Sequence, residues 1–454
     1  MLRRCEKMMK TTIIATSLFI LSPLSFALNL VDAYERAKNT DPNWQANVYQ
    51  YQADQLNLGL AVGNLLPTVT VSGSITRKNQ DVNQASNGTG GGFNPSDLMV
   101  ATSTSKQIAI TARQPLFRMD AWQGYKQVKT SVQLSEVTLK LQQQQHLLNV
   151  SEAYFNVLRQ QALTLTNAQE EKALLEQLNM MSAKLREGLV AKSDVSEANA
   201  QYQNARANRI SIGVQLILAQ EQLAQLIGPY QEKLAVLPAD FQYQKPIPSS
   251  LSEWTTMAQN QNLDILQARL QLQYANDQRR VEQAAIYPQI DAVATYGQNE
   301  QRPKTIISGD GQFDQVGVEM NWNIFTGGRT KMNIQKASMN VKKTDAQLDA
   351  AIRKANTDVK KSYLQVETDQ ATLQARKAAM ESSALVSKAA RAQYDEGLKN
   401  MVDVLLAQRN AFSTQQDYVN AQYDYVLNVL RLKAAVGQLT EQELQMINTW
   451  LVYK

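Results

Sequence analysis

The chain has 454 residues, of which 44% are apolar, 19% charged and 7% aromatic, and it carries a formal net charge of +5. One cysteine, Cys5, and one histidine, His146, are too few for a zinc cluster, a Cys–His catalytic pair or a disulfide framework. Arg3, Arg4, Lys7 and Lys10 against Glu6 place most of the excess charge in the first 27 residues, so the remaining 42 basic and 40 acidic residues nearly balance and carry no footprint of nucleic-acid binding.

Residues 1–10 are basic, Thr11 to Leu24 form an apolar run too short to span a bilayer, and Ser25-Phe26-Ala27 offers small residues at the −3 and −1 positions of a cleavage site. The expectation is a secretory signal peptide over 1–27 and a mature chain beginning near Leu28. Cys5 precedes the apolar run and so is not a lipoprotein acceptor. No later segment approaches about 18 consecutive apolar residues, which argues against a bundle of membrane helices. A β-barrel stays open, because its strands are short and alternating.

Prolines divide the rest of the chain. None lies between Pro115 and Pro229 and none follows Pro303, leaving room for uninterrupted helices. One long helix is expected from about Asp120 to Arg186 and another from about Arg329 to Asp395, each roughly 100 Å long at ~1.5 Å per residue. In the first, alternating steps of three and four run through Leu147, Val150, Tyr154 and Val157 and continue through Ala168, Leu175, Leu178 and Leu185, a coiled-coil stripe with polar interruptions.

Four segments between the helices alternate with period two. They are Val69, Val71 and Ile75; Ile108, Ile110, Ala112 and Leu116; Ile290, Ala292, Ala294 and Tyr296; and Val316, Val318, Met320, Trp322 and Ile324. Each has about ten residues, the length of a tilted strand crossing a bilayer, with an apolar face for lipid and a polar face for an aqueous lumen. Residues 78–103 and 299–312 would be the outward-facing loops. Four strands cannot close a barrel alone, and open edges in lipid would cost several kcal/mol per unpaired group. Chains must therefore pool strands; two, three or four copies all satisfy this argument.

The sequence also repeats. Leu30, Ala37, Asn39, Gln52 and Pro67 recur as Leu251, Ala258, Asn260, Gln273 and Pro288. Glu187-Gly188-Leu189 and Asp194-Val195 recur as Glu396-Gly397-Leu398 and Asp403-Val404. The offset changes once, around the glycine-rich stretch 87–94. The organisation is therefore read as a first repeat over 28–230, a linker over 231–250, a second repeat over 251–440 and a tail over 441–454.

Several motifs have plain local roles. Gly188 and Gly397 are helix-ending turn glycines. Asp194-Val195-Ser196-Glu197 reads as a helix start with a capping-box glutamate, and Asp403 as a first-turn acid after Asn400. His146, after four glutamines, is expected on a solvated or lumen-facing helix surface. Trp122, Trp322 and Tyr296 suit the aromatic belts of a membrane barrel. Gly327-Gly328-Arg329 lacks the Lys–Ser/Thr of a P-loop. No paired acids sit in a pocket-forming context, so neither an enzyme nor a cofactor is expected.

The chain resembles the TolC family of outer-membrane channel-tunnels over essentially all of its mature length. The most specific matches are Glu187-Gly188-Leu189-Val190 with Asp194-Val195, and the stretch Tyr394–Leu444 with Glu396-Gly397, Val402-Asp403-Val404-Leu405 and Ala421-Gln422-Tyr423-Asp424-Tyr425. The junctions Leu116-Phe117-Arg118-Met119 and Ile324-Phe325-Thr326-Gly327-Gly328 also fit. The resemblance implies a mixed α/β membrane protein: long coiled-coil helices forming a helical barrel, plus four transmembrane strands per chain that close a twelve-stranded barrel as a homotrimer. It implies an equatorial belt from the segment near Gly228–Ser250 and the C-terminal tail. It also implies residence in the outer membrane of a Gram-negative bacterium, reaching into the periplasm among outer-membrane lipid. The implied function is the passive exit duct for drugs or secreted proteins, served by a periplasmic adaptor (membrane fusion protein) and an inner-membrane ABC or RND transporter. By the same resemblance Asp403 forms an acidic ring at the entrance, Asp194, Tyr394 and Lys399 occupy linking positions that keep it shut, and Gly188, Leu189, Gly397 and Leu398 form the tips that meet the adaptor. Lys399 stands where the family often has arginine, and Leu406 where a second acid often follows, which weakens the link and removes a second ring. The competing function is a periplasmic coiled-coil scaffold without a channel. It explains the helices but not the four alternating strands.

Overall fold

The computed structural model describes residues 27–79, 102–238, 243, 246–302 and 310–452; the expected signal peptide lies outside them. The elements follow in the order α1 (Leu30–Thr40), α2 (Pro42–Gly63), β1 (Thr68–Asn79), β2 (Thr102–Phe117), α3 (Met119–Arg186), α4 (Lys192–Ile227), α5 (Leu251–Gln261), α6 (Leu263–Ala284), β3 (Gln289–Arg302), β4 (Gly311–Asn321), α7 (Arg329–Asp395), α8 (Met401–Ala435) and α9 (Glu441–Asn448).

Local chemistry sets the breaks between short helices. Pro42 disfavours helical geometry at Asp41, so α1 stops there; the freed Asp41 side chain then caps α2 by accepting the Asn43 N–H at 2.9 Å. In the second half Asn262 does the same between α5 and α6, accepting the Ile265 N–H at 3.0 Å. The long helices α3 and α7 have 68 and 67 residues and contain no proline, as the spacing implied.

The strands form one antiparallel sheet in the order β1-β2-β3-β4. Its register lines up the apolar residues: Val69, Ala112, Ala294 and Val316 share one row, and Val71, Ile110 and Tyr296 share the next. The other face carries Thr70, Thr111, Thr295 and Gln315 in a row, with the Thr111 and Thr295 hydroxyls 3.2 Å apart. Val316, Val318, Ile75 and Val69 are largely exposed in the single chain. The strands run further than the expected loop limits allowed: β1 and β2 reach Asn79 and Thr102, and β3 and β4 reach Arg302 and Gly311. Pairing continues past the apolar alternation because polar rungs such as Ser105 Oγ donating to Asn299 Oδ1 at 3.2 Å still satisfy both strands. What connects them, residues 80–101 and 303–309, lies outside the described residues.

Helices continue the sheet. Next to it α2 packs on α3, α3 on α6 and α6 on α7, and these are the helices that flank β1, β2, β3 and β4 in turn. Further away α4 packs on α3, α3 on α8 and α8 on α7. The chain is thus a wall segment, four strands continuous with four helices, with β1 and β4 at its two edges. Among the described residues one helix, α4, is long and apolar enough to cross a membrane by composition. It instead runs along α3, and its exposed Ile210, Val214, Ile217 and Leu218 form a stripe on the open side of the wall.

The main core lies midway along α3. Leu147, Val150, Tyr154 and Val157 are buried there, as the stripe required, against α1, the lower half of α8 and α9. Beyond it the expected positions Ala168, Leu175 and Leu185 give way to Leu163, Asn167, Leu174, Gln177 and Met181. Along this stretch α3 no longer meets α1 and α9 but packs against α4 and the start of α8, so the covered face turns and the buried set is displaced by a residue. Around this core the segment before α1, the linker and the tail meet: Leu28 bridges Leu234, and Val236 bridges Val452. The Tyr154 hydroxyl lies 2.9 Å from both the Leu28 and Ala235 carbonyls.

Candidate functional site

At the end opposite the sheet, α3 turns into α4 and α7 into α8 with the same geometry. Gly188 has φ +71° and Gly397 φ +77°. In the first turn Gly188 N donates to Leu185 O at 3.0 Å and Leu189 N to Lys184 O at 2.9 Å; in the second Gly397 N donates to Tyr394 O at 2.9 Å and Leu398 N to Gln393 O at 2.8 Å. These are paired Schellman motifs, which need a left-handed residue and select glycine. Each motif ends by presenting a leucine to solvent: Leu189 is 67% exposed and Leu398 73%.

The acids that follow occupy equivalent helix positions. Asp403 is the third residue of α8, whose start is capped by the Asn400 side chain accepting the Asp403 N–H at 2.9 Å. Asp194 is likewise the third residue of α4, not the cap that the Asp194…Glu197 pattern suggested. The helix begins earlier, at Lys192, because the Asp194 carboxylate reaches back to accept the Ala191 N–H at 3.3 Å and so satisfies a first-turn donor from inside. Glu197 instead accepts from Gln201 Nε2 at 2.9 Å.

Tyr394 is engaged within its own chain. Lys184 Nζ sits 4.6 Å above the centre of its ring and donates to its hydroxyl at 3.3 Å, and the hydroxyl lies 3.8 Å from Met181 Sδ. Beside it Arg391 donates to Gln177 and, at 3.3 Å, to Met180 Sδ. Below these contacts a small core of Leu174, Met181, Ala198, Ala205, Met401, Val404 and Leu405 binds α3, α4 and α8 together. Lys399 is exposed, and among the described residues no hydrogen bond joins Asp194 to Tyr394 or Lys399 inside one chain. Lys184 escaped the sequence reading; its one signal is a basic residue in the last turn of α3, facing a tyrosine that only folding brings near.

His146 corrects an expectation. It is 6% exposed, packed between Tyr34 and Trp44, with Nε2 3.1 Å from Asp41 Oδ2. The glutamines before it suggested a wet face, but α1 and α2 fold back over this part of α3 and cover it. Burial pushes its imidazole below the ordinary range, against the pull of Asp41. The three aromatics assigned to membrane belts are exposed near the sheet: Trp122 in the first turn of α3, Tyr296 on β3, and Trp322 just past β4 with Nε1 donating to Ile286 O at 3.0 Å. Among the described residues no group of three or more His, Cys, Asp or Glu side chains is placed to hold a metal.

The whole chain has relatives with this architecture. It matches the sequence profile of the outer membrane efflux proteins over residues 33–229 and 254–438. It is 30% identical to the outer membrane protein TolC of Escherichia coli, an alignment covering 97% of this chain and 88% of that protein. It is 26% identical to the alkaline protease secretion protein AprF of Pseudomonas aeruginosa, covering 96% and 90%. The crystal structure of the Campylobacter jejuni CmeC outer membrane channel superposes with a TM-score of 0.78 at 16% identity, over 93% of this chain and 89% of that one. The chain belongs to the outer membrane efflux protein family.

Proposed function

We propose that this outer-membrane export channel works as the passive exit duct of a tripartite system, with three copies closing one continuous tube. The observation that carries the reading is the wall segment itself. Strands and helices run in the same order, so both edges of the sheet and of the helical layer end together. The helices at those edges carry apolar stripes: Tyr49, Leu56 and Leu60 on α2, the α4 stripe already described, and Met332 and Met339 on α7. A neighbouring copy that pairs β4 with β1 covers these stripes at the same time, and leaves no strand edge in lipid. Three copies of four strands make a twelve-stranded barrel, with the repeats 28–230 and 251–440 alternating around it, the linker 231–250 and tail 441–454 at the equator, and the strand ends Asn79, Thr102, Arg302 and Gly311 toward the outside.

In this assembly the paired turns point into the periplasm. Leu189 and Leu398, with Gly188 and Gly397 shaping their turns, form the docking surface for a membrane fusion protein, through which an inner-membrane ABC or RND transporter delivers cargo. The names of relatives cover both cargo classes, AprF for protease secretion and BepC of Brucella suis for efflux. Asp403 narrows the entrance. Three carboxylates ~6–8 Å apart repel by roughly 0.5–0.7 kcal/mol per pair in water-like dielectric, so a multivalent cation binds among them. Asp194 of one copy facing Lys399 or Tyr394 of the next holds the entrance closed until the adaptor docks. The duct hydrolyses nothing and uses no cofactor.

The test is electrical. The purified full-length protein inserted in planar bilayers conducts, hexaamminecobalt blocks it from the entrance side, and Asp403→Ala abolishes the block. A protein that forms no channel supports the periplasmic scaffold instead. Unchanged block in Asp403→Ala makes Asp403 a helix-terminal charge and nothing more.

A further inference from the structure

The hydroxyl- and amide-bearing face of the sheet holds few charges. Among its described residues they are Lys78, near the loop end, and Arg113, Asp291 and Glu319, where the strands meet the helices. Asp291 and Glu319 lie directly opposite each other on β3 and β4. Like charges in that position repel and weaken a ladder. Arg113, on β2, resolves the conflict: Nη1 donates to Asp291 Oδ2 at 3.0 Å and Nη2 to Glu319 Oε2 at 2.8 Å. One guanidinium thereby ties three adjacent strands. Asp291 is the covered member, with 13% of its side chain exposed, and Arg118 Nη1 stands 3.9 Å from its second oxygen. Arg118 is itself neutralised by Asp120, which it holds at 2.9 and 3.1 Å, and Gln289 donates to Asp120 at 3.1 Å.

We propose that Arg113 is a specificity-determining residue of the duct: with Asp291 and Glu319 it sets the charge of the lumen at the junction of barrel and tunnel. The proposal rests on the three-copy reading, in which this face lines the channel. The triad carries one net negative charge per chain, because Arg113 offsets one of two carboxylates. Around it the wall offers Thr111, Thr295, Gly317 and Gln315, which are neutral. Glu319 is exposed on this face, so the excess charge meets the solute directly. Arginine suits the position because its planar fork reaches two carboxylates at once, whereas a lysine offers a point charge. A field of this kind is felt over about a Debye length, ~10 Å at 0.1 M salt and ~3 Å at 1 M. The residual negative ring therefore favours cationic solutes at the inner end of the barrel, independently of the Asp403 ring at the far end of the tunnel.

The experiment measures zero-current potentials of full-length channels across a potassium chloride gradient at low ionic strength, in an Asp403→Ala background so that the entrance does not dominate. Arg113→Gln doubles the net negative charge and shifts the potential toward potassium selectivity, by about twofold or more in the permeability ratio. Glu319→Gln removes the excess and shifts it toward chloride, and Arg113→Lys stays near the parent. All shifts shrink in molar salt, which a merely structural effect would not do. Conducting Arg113→Gln and Glu319→Gln channels with the parent's potential overturn the proposal. If Arg113→Gln does not assemble, Glu319→Gln alone decides, since it leaves no carboxylate uncompensated. A parent that conducts nothing overturns the duct reading, and this inference with it; a conducting parent with insensitive variants overturns only the inference.

Discussion

His146 stacks on Trp44, with ring centres 5.4 Å apart and planes inclined by 22°, and the two residues come from helices α3 and α2. Asp41, the cap of α2, closes the same pocket from the side, and Lys38 and Tyr34 of α1 complete it. The only histidine of the chain thus joins the corner between two short helices to the middle of the long one.

This contact makes stability pH-dependent in a defined direction. Burial holds the imidazole below its ordinary value, Asp41 pulls it up, and Lys38 pushes it down again. As pH falls, the unfolded chain takes up a proton first. The contribution of His146 is therefore complete above about pH 6.5 and declines as pH drops from there toward the lower folded value. Thermal unfolding of the purified protein between about pH 7.5 and 5 should show this loss, and His146→Phe should flatten it while keeping the stack. His146→Ala should cost on the order of 2–4 kcal/mol above about pH 6.5 through the cavity it leaves, and less below, where the wild type has lost part of the contribution. A wild-type profile as flat as that of His146→Phe would refute the assignment.

Lys184 and Tyr394 predict a graded gating series. A cation over an aromatic ring contributes about 0.5–1 kcal/mol when exposed and up to about 2 when shielded. Lys184→Met removes both the cation and the hydrogen bond, so single-channel conductance and sensitivity to vancomycin should rise. Tyr394→Phe keeps the ring under the cation and should act more weakly, whereas Tyr394→Phe with Lys399→Ser should exceed it. Equal conductance in Lys184→Met and wild type would show that this contact does not hold the entrance.

Three glycines separate conformational strain from crowding. Gly188 and Gly397 have positive φ, but a Cβ there would touch nothing within 4 Å. Alanine at either should cost only the left-handed penalty, roughly 1–2 kcal/mol. Gly437, φ +80°, presses against the backbone of Gln261 and Asn262. Gly437→Ala adds an unavoidable backbone clash to the same strain, and should lower the yield of folded protein far more. Comparable yields for all three variants would contradict the close packing of α8 on the α5–α6 corner.

Leu189 and Leu398 predict a separation of export from assembly. Their side chains project from the turns and bury little in the single chain. Leu189→Asp with Leu398→Asp should leave oligomer formation and bilayer conductance intact while abolishing cross-linking to the adaptor and restoring drug susceptibility. Export at wild-type levels would place the docking surface elsewhere.

Much of the tips was legible because their logic is local. A glycine after an amphipathic run, an exposed leucine next to it and an acid in the next first turn each report a helix end, and the duplication at Gly188 and Gly397 makes the signal visible twice. The partner of Tyr394 was not legible, because Lys184 lies on another helix and 210 residues away. The Asp194 cap was misplaced by one turn for a related reason: a carboxylate can cap from outside a helix or reach back from within, and composition does not distinguish them.

By itself the sequence determined where helix gives way to strand. Proline placement, two periodicities and an internal repeat are properties of neighbours along the chain, and they yielded α3 and α7 nearly to the residue and the four strands in place but not in length. Only the tertiary structure decided what faces what. The drift of the buried stripe past Leu163, the enclosure of His146 under α1 and α2, and the bridge from Arg113 to Asp291 and Glu319 each join distant segments. Their cause is the side-by-side order of strands and helices in the wall. That order follows from satisfying backbone hydrogen bonds and covering apolar faces across the whole chain at once, and no local window of residues contains it.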